Sequence, residues 1–326
     1  MKGKRLILAV AVLLAVSLSC GRRKTAAPVV EKPLYPDDFP MIEIPSLLTD
    51  GAQRLDFFCG HFWDRFLDVK DVPGEGSERI RAVSREKLES AVGMYATTMR
   101  DVPLRQASSY IASLSDRLDT LRSRDSTLTV ADTVISLISR YFYDPNSPVR
   151  DEDLYGVFAR KLSSSPFTPD SLRGALSADA YLCSLNSKGS RASDFRFRKA
   201  DGRVSSLYSV KAGYTLLFFS NPGCTACREI TQVLSHNPHI SRMLSEGTLA
   251  VVNIYIDKEI DTWRGHIADY PSEWITGYDY LYAIREKLLY NVRAIPSLYL
   301  LDSGKVVLLK DAPVEVVAAR LESIDI

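Results

Sequence analysis

The sequence predicts an all-α helical domain followed by an α/β domain, and two observations carry this prediction. Over residues 46–188, apolar side chains recur at the spacing of amphipathic helices, with short polar segments between them. Over residues 190–326, apolar runs of strand length alternate with helical patterns, which is typical of a crossover α/β layer. We therefore expect a domain boundary just before residue 190.

Length and composition fit a globular protein. The chain has 326 residues, which allows about two domains of ordinary size. Its 41 Lys and Arg nearly balance 40 Asp and Glu, so neither a basic surface for nucleic acid nor a charged binding tail is expected. Nucleic acid is therefore not among the predicted partners.

The first twenty residues have the pattern of an export signal. A positive segment (Lys2, Lys4, Arg5) precedes an apolar stretch. That stretch, residues 6–18, is short for a bilayer span and is soon followed by Cys20. The segment resembles a bacterial lipoprotein signal, which implies that Cys20 is lipidated; an ordinary secretory peptide is the alternative. Either signal leads to a compartment in which disulfides persist.

Residues 21–45 are predicted to be a proline-rich linker. Prolines without helical period favour a semi-extended chain that holds the folded part away from the membrane. These prolines are Pro28, Pro33, Pro36, Pro40 and Pro45.

Five or six helices are expected in the helical domain. Their predicted starts are Asp50, Ser84, Pro103, Val130, Asp151 and Thr168. The first helix is expected to continue through Leu67, because its apolar face keeps helical spacing to that residue. The last is expected to have Thr168 as its cap and Pro169 at its first position.

The α/β domain is organised around one strand, turn and helix. The apolar run Thr215–Phe219 breaks at a Ser-Asn-Pro-Gly turn, and Cys224-Thr-Ala-Cys227 then leads into a helical pattern. In this context a Cys-x-x-Cys motif is typical of redox-active cysteines. The other expected strands are Asp194–Phe197, Val204–Tyr208, Thr248–Ile256, Ile295–Leu301 and Lys305–Leu309. The other expected helical segments are Asp261–Ala268, Tyr278–Leu289 and Pro313–Ser323.

Residues 190–326 resemble a thioredoxin fold, most closely the exported TlpA- and ResA-type thiol–disulfide oxidoreductases. The residues that carry this resemblance are Ala192-Ser-Asp-Phe195, Cys224-Thr-Ala-Cys227, Trp263 and Ile295-Pro296. The whole chain also resembles lipoproteins of Bacteroidota that join a helical domain of unknown function to such a module. The segments that carry this second resemblance begin at Ile44, His61, Tyr143 and Trp274.

The resemblance implies a membrane-anchored thiol–disulfide oxidoreductase of the cell envelope. It would face the periplasm, with its lipid in the outer membrane, and would need neither cofactor nor metal. Its partners would be protein thiols and disulfides, together with an unidentified redox partner. The alternative is a non-catalytic lipoprotein that binds a partner and uses the thioredoxin fold as a scaffold.

Each site residue has an expected role. Cys224 should be the nucleophile, because a helix N-terminus stabilises an anion and lowers a thiol pKa. Cys227, one turn further into the helix, should resolve the mixed disulfide. By resemblance, Pro296 is the cis-proline opposite the cysteines, and Ile295 offers backbone groups to an extended substrate.

The motif departs from the thioredoxin pattern in ways that leave the direction of exchange open. Thr-Ala replaces Gly-Pro between the cysteines, and Phe218 stands where thioredoxin has a buried acid. Glu229 is interpreted as a solvated helix charge rather than a site carboxylate. A purely structural Cys224–Cys227 disulfide is a further alternative, although so short a loop contributes little entropy.

The remaining cysteines and histidines have structural interpretations. Cys59 and Cys183 have apolar neighbours, which favours buried free thiols, with a bridge between the first and last helices as the alternative. No second Cys-x-x-Cys is present to complete a zinc site. Pairs such as Cys59 with His61, or His236 with His239, are expected to be packing and surface residues.

Overall fold

The computed structural model describes residues 38–68, 79–124 and 129–325. All of these residues belong to the compact unit Pro36–Ile326. Within these ranges, no helix has the length and apolar character needed to cross a bilayer. The predicted signal, Cys20 and almost all of the predicted linker lie outside the described residues.

The first part of the described chain is helical, as predicted. Its helices are α1 (Gly51–His61), α2 (Asp64–Leu67), α3 (Arg85–Met99), α4 (Leu104–Arg124), α5 (Val130–Tyr143), α6 (Glu152–Ser164) and α7 (Asp170–Cys183). Three of the predicted helix starts carry a capping side chain. Asp50, Ser84 and Asp151 accept hydrogen bonds from the backbone N–H groups three residues further on. A short antiparallel ribbon, β1 (Arg79–Ile80) with β2 (Val83–Ser84), precedes α3.

Two helix boundaries differ from the sequence prediction. Instead of one helix through Leu67, the chain leaves the helix at Trp63, whose φ of −87° and ψ of −8° separate α1 from α2. Trp63 is 2% exposed and packs edge-on against Phe62 and Tyr95 in an aromatic cluster. Pro169, with ψ of 139°, is the cap of α7 rather than its first residue, so Thr168 does not cap it.

The second part of the chain forms a mixed sheet flanked by helices. Its strands are β3 (Arg196–Lys199), β4 (Val204–Ser206), β5 (Tyr214–Phe219), β6 (Leu249–Tyr255), β7 (Ile275–Tyr278), β8 (Ser297–Leu301) and β9 (Val307–Leu309). Its α-helices are α8 (Thr225–His236), α9 (Pro238–Ser245), α10 (Ile260–Gly265), α11 (Ala283–Glu286) and α12 (Val314–Glu322). The strand order is β4-β3-β7-β6-β5-β8-β9. The pairs β5–β6 and β6–β7 are parallel, and the other pairs are antiparallel.

The central strand β5 is buried on both faces. Leu216 and Phe218 pack into a core with Leu234 of α8 and Val317 of α12. Alternate residues of the strand, including Phe219, pack into a second core on the opposite face. This alternation is what a strand with helices or loops on both sides requires. It explains why the β5 sequence is apolar without interruption.

Strand β7 was not predicted from the sequence. The segment expected to be helical from Tyr278 to Leu289 contains only the short helix α11, and the strand lies before it. Gly277 is the reason that the strand signal is weak. A Cβ on Gly277 would lie 2.8 Å from both the Arg198 carbonyl oxygen and the Phe197 ring, so the close approach of β3 requires glycine here.

The predicted fold class is confirmed: helices come first, and a mixed sheet follows. The separation into domains 46–188 and 190–326 stays a prediction, because the described residues form one compact unit.

Candidate functional site

Cys224 and Cys227 form a disulfide at the N-terminus of α8, with 5.2 Å between their Cα atoms. Cys224 is the N-cap residue, and the backbone N–H of Cys227 donates to its Sγ at 3.1 Å. Cys227 is 2% exposed, whereas Cys224 is half-buried. The two sulfurs thus differ in access: Cys224 is the one that a partner can reach, and it receives a backbone donor that would stabilise its thiolate.

The turn before Cys224 is held by hydrogen bonds to neighbouring strands and loops. Gly223 has φ of +73°, a conformation that favours glycine. The Asn221 side-chain amide donates to Asp257 Oδ2 at 2.6 Å, and Asp257 is paired with Arg285 at 3.0 Å. Ser220 donates to the side chain of Asn253 on β6. These contacts fix the end of β5 relative to β6, so the position of Cys224 follows from the sheet.

Ile295 and Pro296 lie at the same edge of the sheet as Cys224. Ser297, which follows Pro296, pairs with Phe219 at the end of β5 in the antiparallel β5–β8 register. The Ile295–Pro296 peptide bond is cis, as expected from the resemblance. Both residues are partly buried, and the Ile295 side chain packs with Cys224 against the same core. The four predicted site residues of this region thus lie at the same end of the paired strands β5 and β8, although only the two cysteines line the cleft beside the disulfide.

A cleft of about 90 Å³ lies beside the disulfide and has a wall that the sequence analysis did not identify. Both cysteines line the cleft, and His266, Asp269 and Tyr270 line it as well. His266 Nδ1 lies 2.7 Å from Asp269 Oδ2, and the Tyr270 hydroxyl lies 2.9 Å from Ser220 Oγ. The sequence signal for this wall is a His-x-x-Asp-Tyr run after α10. It becomes informative only when the fold places it opposite the cysteines.

Two positions near the cysteines were considered as sites for a carboxylate, and the structure agrees with the sequence at both. Phe218 is fully buried and packs edge-on against Trp274, so the thioredoxin acid position is apolar here. Glu229 is exposed on α8, in agreement with a solvated helix charge. The cleft instead holds Arg228, Asp269 and His266 as its charged or titratable groups besides the cysteines and Tyr270.

The other two cysteines are buried free thiols, as favoured from the sequence. Cys59 is 1% exposed and Cys183 is 0% exposed. Burial, with a smaller contribution from Asp56, raises the pKa of Cys59 to about 12. Burial, followed by the charge of Glu152, raises the pKa of Cys183 to about 12. Neither thiol resembles a reactive site.

Two of the three histidines considered as metal ligands make local contacts, and His239 Nε2 is buried without a hydrogen-bond partner among the described residues. His61 Nδ1 lies 2.8 Å from Asp64 Oδ2, and His236 Nδ1 lies 2.8 Å from the Gln232 carbonyl oxygen. In the part of the chain that the structure describes, no group of three or more His, Cys, Asp or Glu is arranged to hold a metal ion.

Comparison with known proteins gives a full-length relative and a family model. Residues 17–172 match the family described as a domain of unknown function, DUF5106. A thioredoxin-like protein from Bacteroides caccae, known from a crystal structure, is 34% identical, with a TM-score of 0.75. The match covers 89% of this chain and 100% of that protein.

Two further solved structures each match 42% of this chain. The C-terminal domain of an uncharacterised protein from Bacteroides fragilis is 43% identical over 42% of this chain and 99% of its own, with a TM-score of 0.41. The thioredoxin domain of a thiol–disulfide oxidoreductase from Bacteroides vulgatus is 21% identical over 42% of this chain and 96% of its own, with a TM-score of 0.38. No curated protein matches the chain.

Proposed function

The chain belongs to the family of thioredoxin-like proteins that includes the Bacteroides caccae protein, and from this premise we propose that it is an exported thiol–disulfide oxidoreductase. The observation that carries the proposal is the Cys224–Cys227 disulfide, with a half-buried Cys224 capping α8 beside a cleft. Protein thiols and disulfides are the proposed substrates, and the partner that resets the site is a dithiol reductant or a disulfide oxidant.

The exchange runs through two substitutions at sulfur. In the reductive direction, the Cys224 thiolate attacks one sulfur of a substrate disulfide. A bond forms between Cys224 Sγ and that sulfur, the substrate S–S bond breaks, and the other substrate sulfur leaves as a thiolate and takes up a proton. The Cys227 thiol then loses its proton and attacks Cys224 Sγ. The first substrate sulfur is released, and the Cys224–Cys227 disulfide forms.

Two electrons pass from the protein to the substrate in this sequence, and a dithiol must return them before the next turnover. Each substitution is reversible, so the same residues oxidise a substrate dithiol when the steps run backward. The helix N-terminus assists either direction, because the Cys227 N–H and the helix dipole favour a thiolate at Cys224. Cys227 is shielded from partners and is thereby suited to the resolving step.

Ile295 and Pro296 are proposed to bind the substrate chain. Their backbone precedes β8 and lies at the edge of the sheet where β5 leads into Cys224. An extended substrate segment placed along this backbone would bring its disulfide to Cys224 Sγ. The binding mode is that of a strand added beside an existing one, in which main-chain groups supply hydrogen bonds.

Anchoring and location complete the proposal. We propose lipidation at Cys20, attachment to the outer membrane and a periplasm-facing site, on the basis of the sequence of the first twenty residues. Such a compartment lets disulfides form and persist, so an exchange enzyme has substrates there.

A trapping experiment tests the chemistry. Purified Cys227→Ser, mixed with an excess of insulin, should form a mixed disulfide through Cys224, because the resolving thiol is missing. Mass spectrometry after non-reducing electrophoresis should find this adduct, and the matched control Cys224→Ser/Cys227→Ser should not form it. If Cys227→Ser forms no adduct with insulin, the exchange function is wrong, and the partner-binding scaffold takes its place.

A further inference from the structure

A buried group of charged side chains joins the helical region to the segment that carries Ile295 and Pro296. We call it the ionic cluster. Its members are Arg150, Glu152, Asp153, Arg293, Lys310 and Asp311. Arg150, Glu152 and Asp153 lie just before or at the start of α6, Arg293 lies two residues before Ile295, and Lys310 and Asp311 directly follow β9. The ionic cluster therefore connects the helical region to the segment that precedes Ile295.

On the N-terminal side of Ile295, Arg293 is the anchored residue. Its Nε lies 2.7 Å from Glu152 Oε1, and its Nη1 donates to the Tyr143 carbonyl oxygen. The guanidinium also lies over the Tyr143 ring, 4.0 Å from the centroid. Asn291 adds a second bond to the same Glu152 oxygen, at 3.0 Å. The backbone that leads to Ile295 is thus attached to the helical region by side chains on both sides of Val292.

On the C-terminal side of Pro296, the anchor is Ser297. Its hydroxyl donates to Asp311 Oδ1 at 2.7 Å, and this bond is buried. The other oxygen, Asp311 Oδ2, lies 3.1 Å from Arg150 Nε and 3.8 Å from Arg293 Nη2. The segment from Arg293 to Ser297 is therefore held at both ends. Arg293 contacts the helical region directly, and Ser297 is connected through Asp311 to Arg150.

Glu152 is the centre of the ionic cluster. Its side chain is 1% exposed, and its second oxygen lies 3.4 Å from Lys310 Nζ, which is also 1% exposed. Burial raises the pKa of the Glu152 carboxyl, and Lys310 and Arg293 oppose that rise. Buried ion pairs of this kind recover their desolvation cost only in good geometry, so they are weak contributors to stability. In some proteins such pairs specify one arrangement of the elements that they join, and removing one partner leaves an uncompensated buried charge.

We propose that Glu152 is a positioning residue, which through Arg293 and Asn291 holds Ile295 and Pro296 in the geometry that binds an extended protein substrate. This inference rests on the proposed exchange function and assigns a role to the helical region. None of the residues described for that region lines the cleft beside the reacting sulfurs. The helical region sets how tightly a polypeptide disulfide binds beside Ile295 and Pro296. It has much less effect on a small disulfide, which needs only Cys224.

The test compares two substrates and two matched variants. Glu152→Gln removes the charge at nearly constant shape. Glu89→Gln makes the same change at an ion pair with Arg140 on the exposed surface of the helical region. Protein that has been reduced with dithiothreitol and freed of the excess is mixed with insulin or with 5,5′-dithiobis(2-nitrobenzoate), a small aromatic disulfide, and the second-order rate constant for reduction of the disulfide is measured. For Glu152→Gln, the ratio of the rate constant for insulin to that for the small disulfide should fall about ten-fold, mainly through a lower rate constant for insulin. For Glu89→Gln, the ratio should stay at the wild-type value.

Hydrogen exchange provides a readout that does not depend on disulfide reduction. In Glu152→Gln, amides of residues 291–298 should exchange at least about five-fold faster than in the wild type, whereas amides of β5 and β6 should be unchanged. If Glu152→Gln does not fold, Arg293→Lys serves instead, because it keeps the charge but loses the planar contact with Tyr143. Its expected changes are in the same direction.

The outcomes separate this inference from the function on which it rests. A wild-type rate constant for insulin together with an unchanged substrate ratio in Glu152→Gln overturns the positioning role and leaves the exchange function in place. Equal losses with both substrates overturn it as well, because they indicate a general structural defect. An unchanged rate of amide hydrogen exchange over residues 291–298 also overturns the positioning role. A wild-type protein that reduces neither disulfide overturns the exchange function itself.

Discussion

Cys224 and Cys227 lie at the N-terminus of α8, just beyond the end of the central strand β5, whereas Cys59 and Cys183 are buried inside the helical region. Cys224 caps a helix and lines a cleft that also holds a His–Asp pair. Cys183 ends α7 against α6, with no exposed surface. The difference shows that the position of a thiol in the fold, rather than its presence, decides its chemistry.

The contrast arises because the two environments stabilise a thiolate anion to different extents. At a helix N-terminus, unpaired backbone N–H groups face the sulfur and favour its anion. In an apolar interior, the anion loses its hydration without a donor in return, so the thiol form dominates. Acidic neighbours, Asp56 near Cys59 and Glu152 near Cys183, add to the effect of burial.

Alkylation kinetics should show the largest effect. At pH 8, a thiol with its pKa at about 12 is ionised to roughly one part in ten thousand, against about a quarter for an ordinary cysteine. In the reduced native protein, Cys59 and Cys183 should therefore react with iodoacetamide about three orders of magnitude more slowly than Cys224. Peptide mapping over time measures the three rates, and denaturant should remove the difference. Comparable rates in the native state would contradict the contrast.

The burial of Cys183 should also be visible in stability, with a smaller effect. A Cβ on Gly156 of α6 would lie 2.9 Å from the Cys183 Cβ, and both atoms are fixed to helix backbones. Gly156→Ala should lower the free energy of unfolding by about 1–3 kcal/mol, since α6 and α7 must move apart. Urea unfolding measures the change.

Gly174 of α7 is the matched control for that variant. A Cβ there meets nothing within 4 Å, and the residue is exposed. Gly174→Ala should raise the free energy of unfolding by about 0.5–1 kcal/mol, because alanine is the better helix former. Equal effects of the two substitutions would show that α6 and α7 do not pack as closely around Cys183 as described.

The same contrast separates what the sequence could predict from what it could not. The strand, turn and Cys-x-x-Cys are contiguous, so local patterns were enough to place Cys224 at the start of α8 and Cys227 one turn further into the helix. The burial of Cys59 and Cys183 was also predictable, because apolar neighbours surround them in the chain.

Features that depend on distant residues were not predictable. The cleft wall with His266 and Asp269 reaches the cysteines only through the folding of the chain around β6 and β7. The bond between Glu152 and Arg293 joins residues separated by 141 positions. No local pattern marks either partner. Strand β7 was missed because glycine has a low β-propensity. Gly277 is needed there for the close approach of β3, which the sequence alone does not indicate.

The most direct test of the account is the turnover of insulin disulfides with dithiothreitol as the reductant, for the wild type, Cys224→Ser and Cys183→Ser. Turnover by Cys224→Ser should fall to the rate of dithiothreitol alone, since the nucleophile is missing from the cleft, and turnover by Cys183→Ser should stay within about two-fold of the wild type. Wild-type turnover in Cys224→Ser would contradict the account.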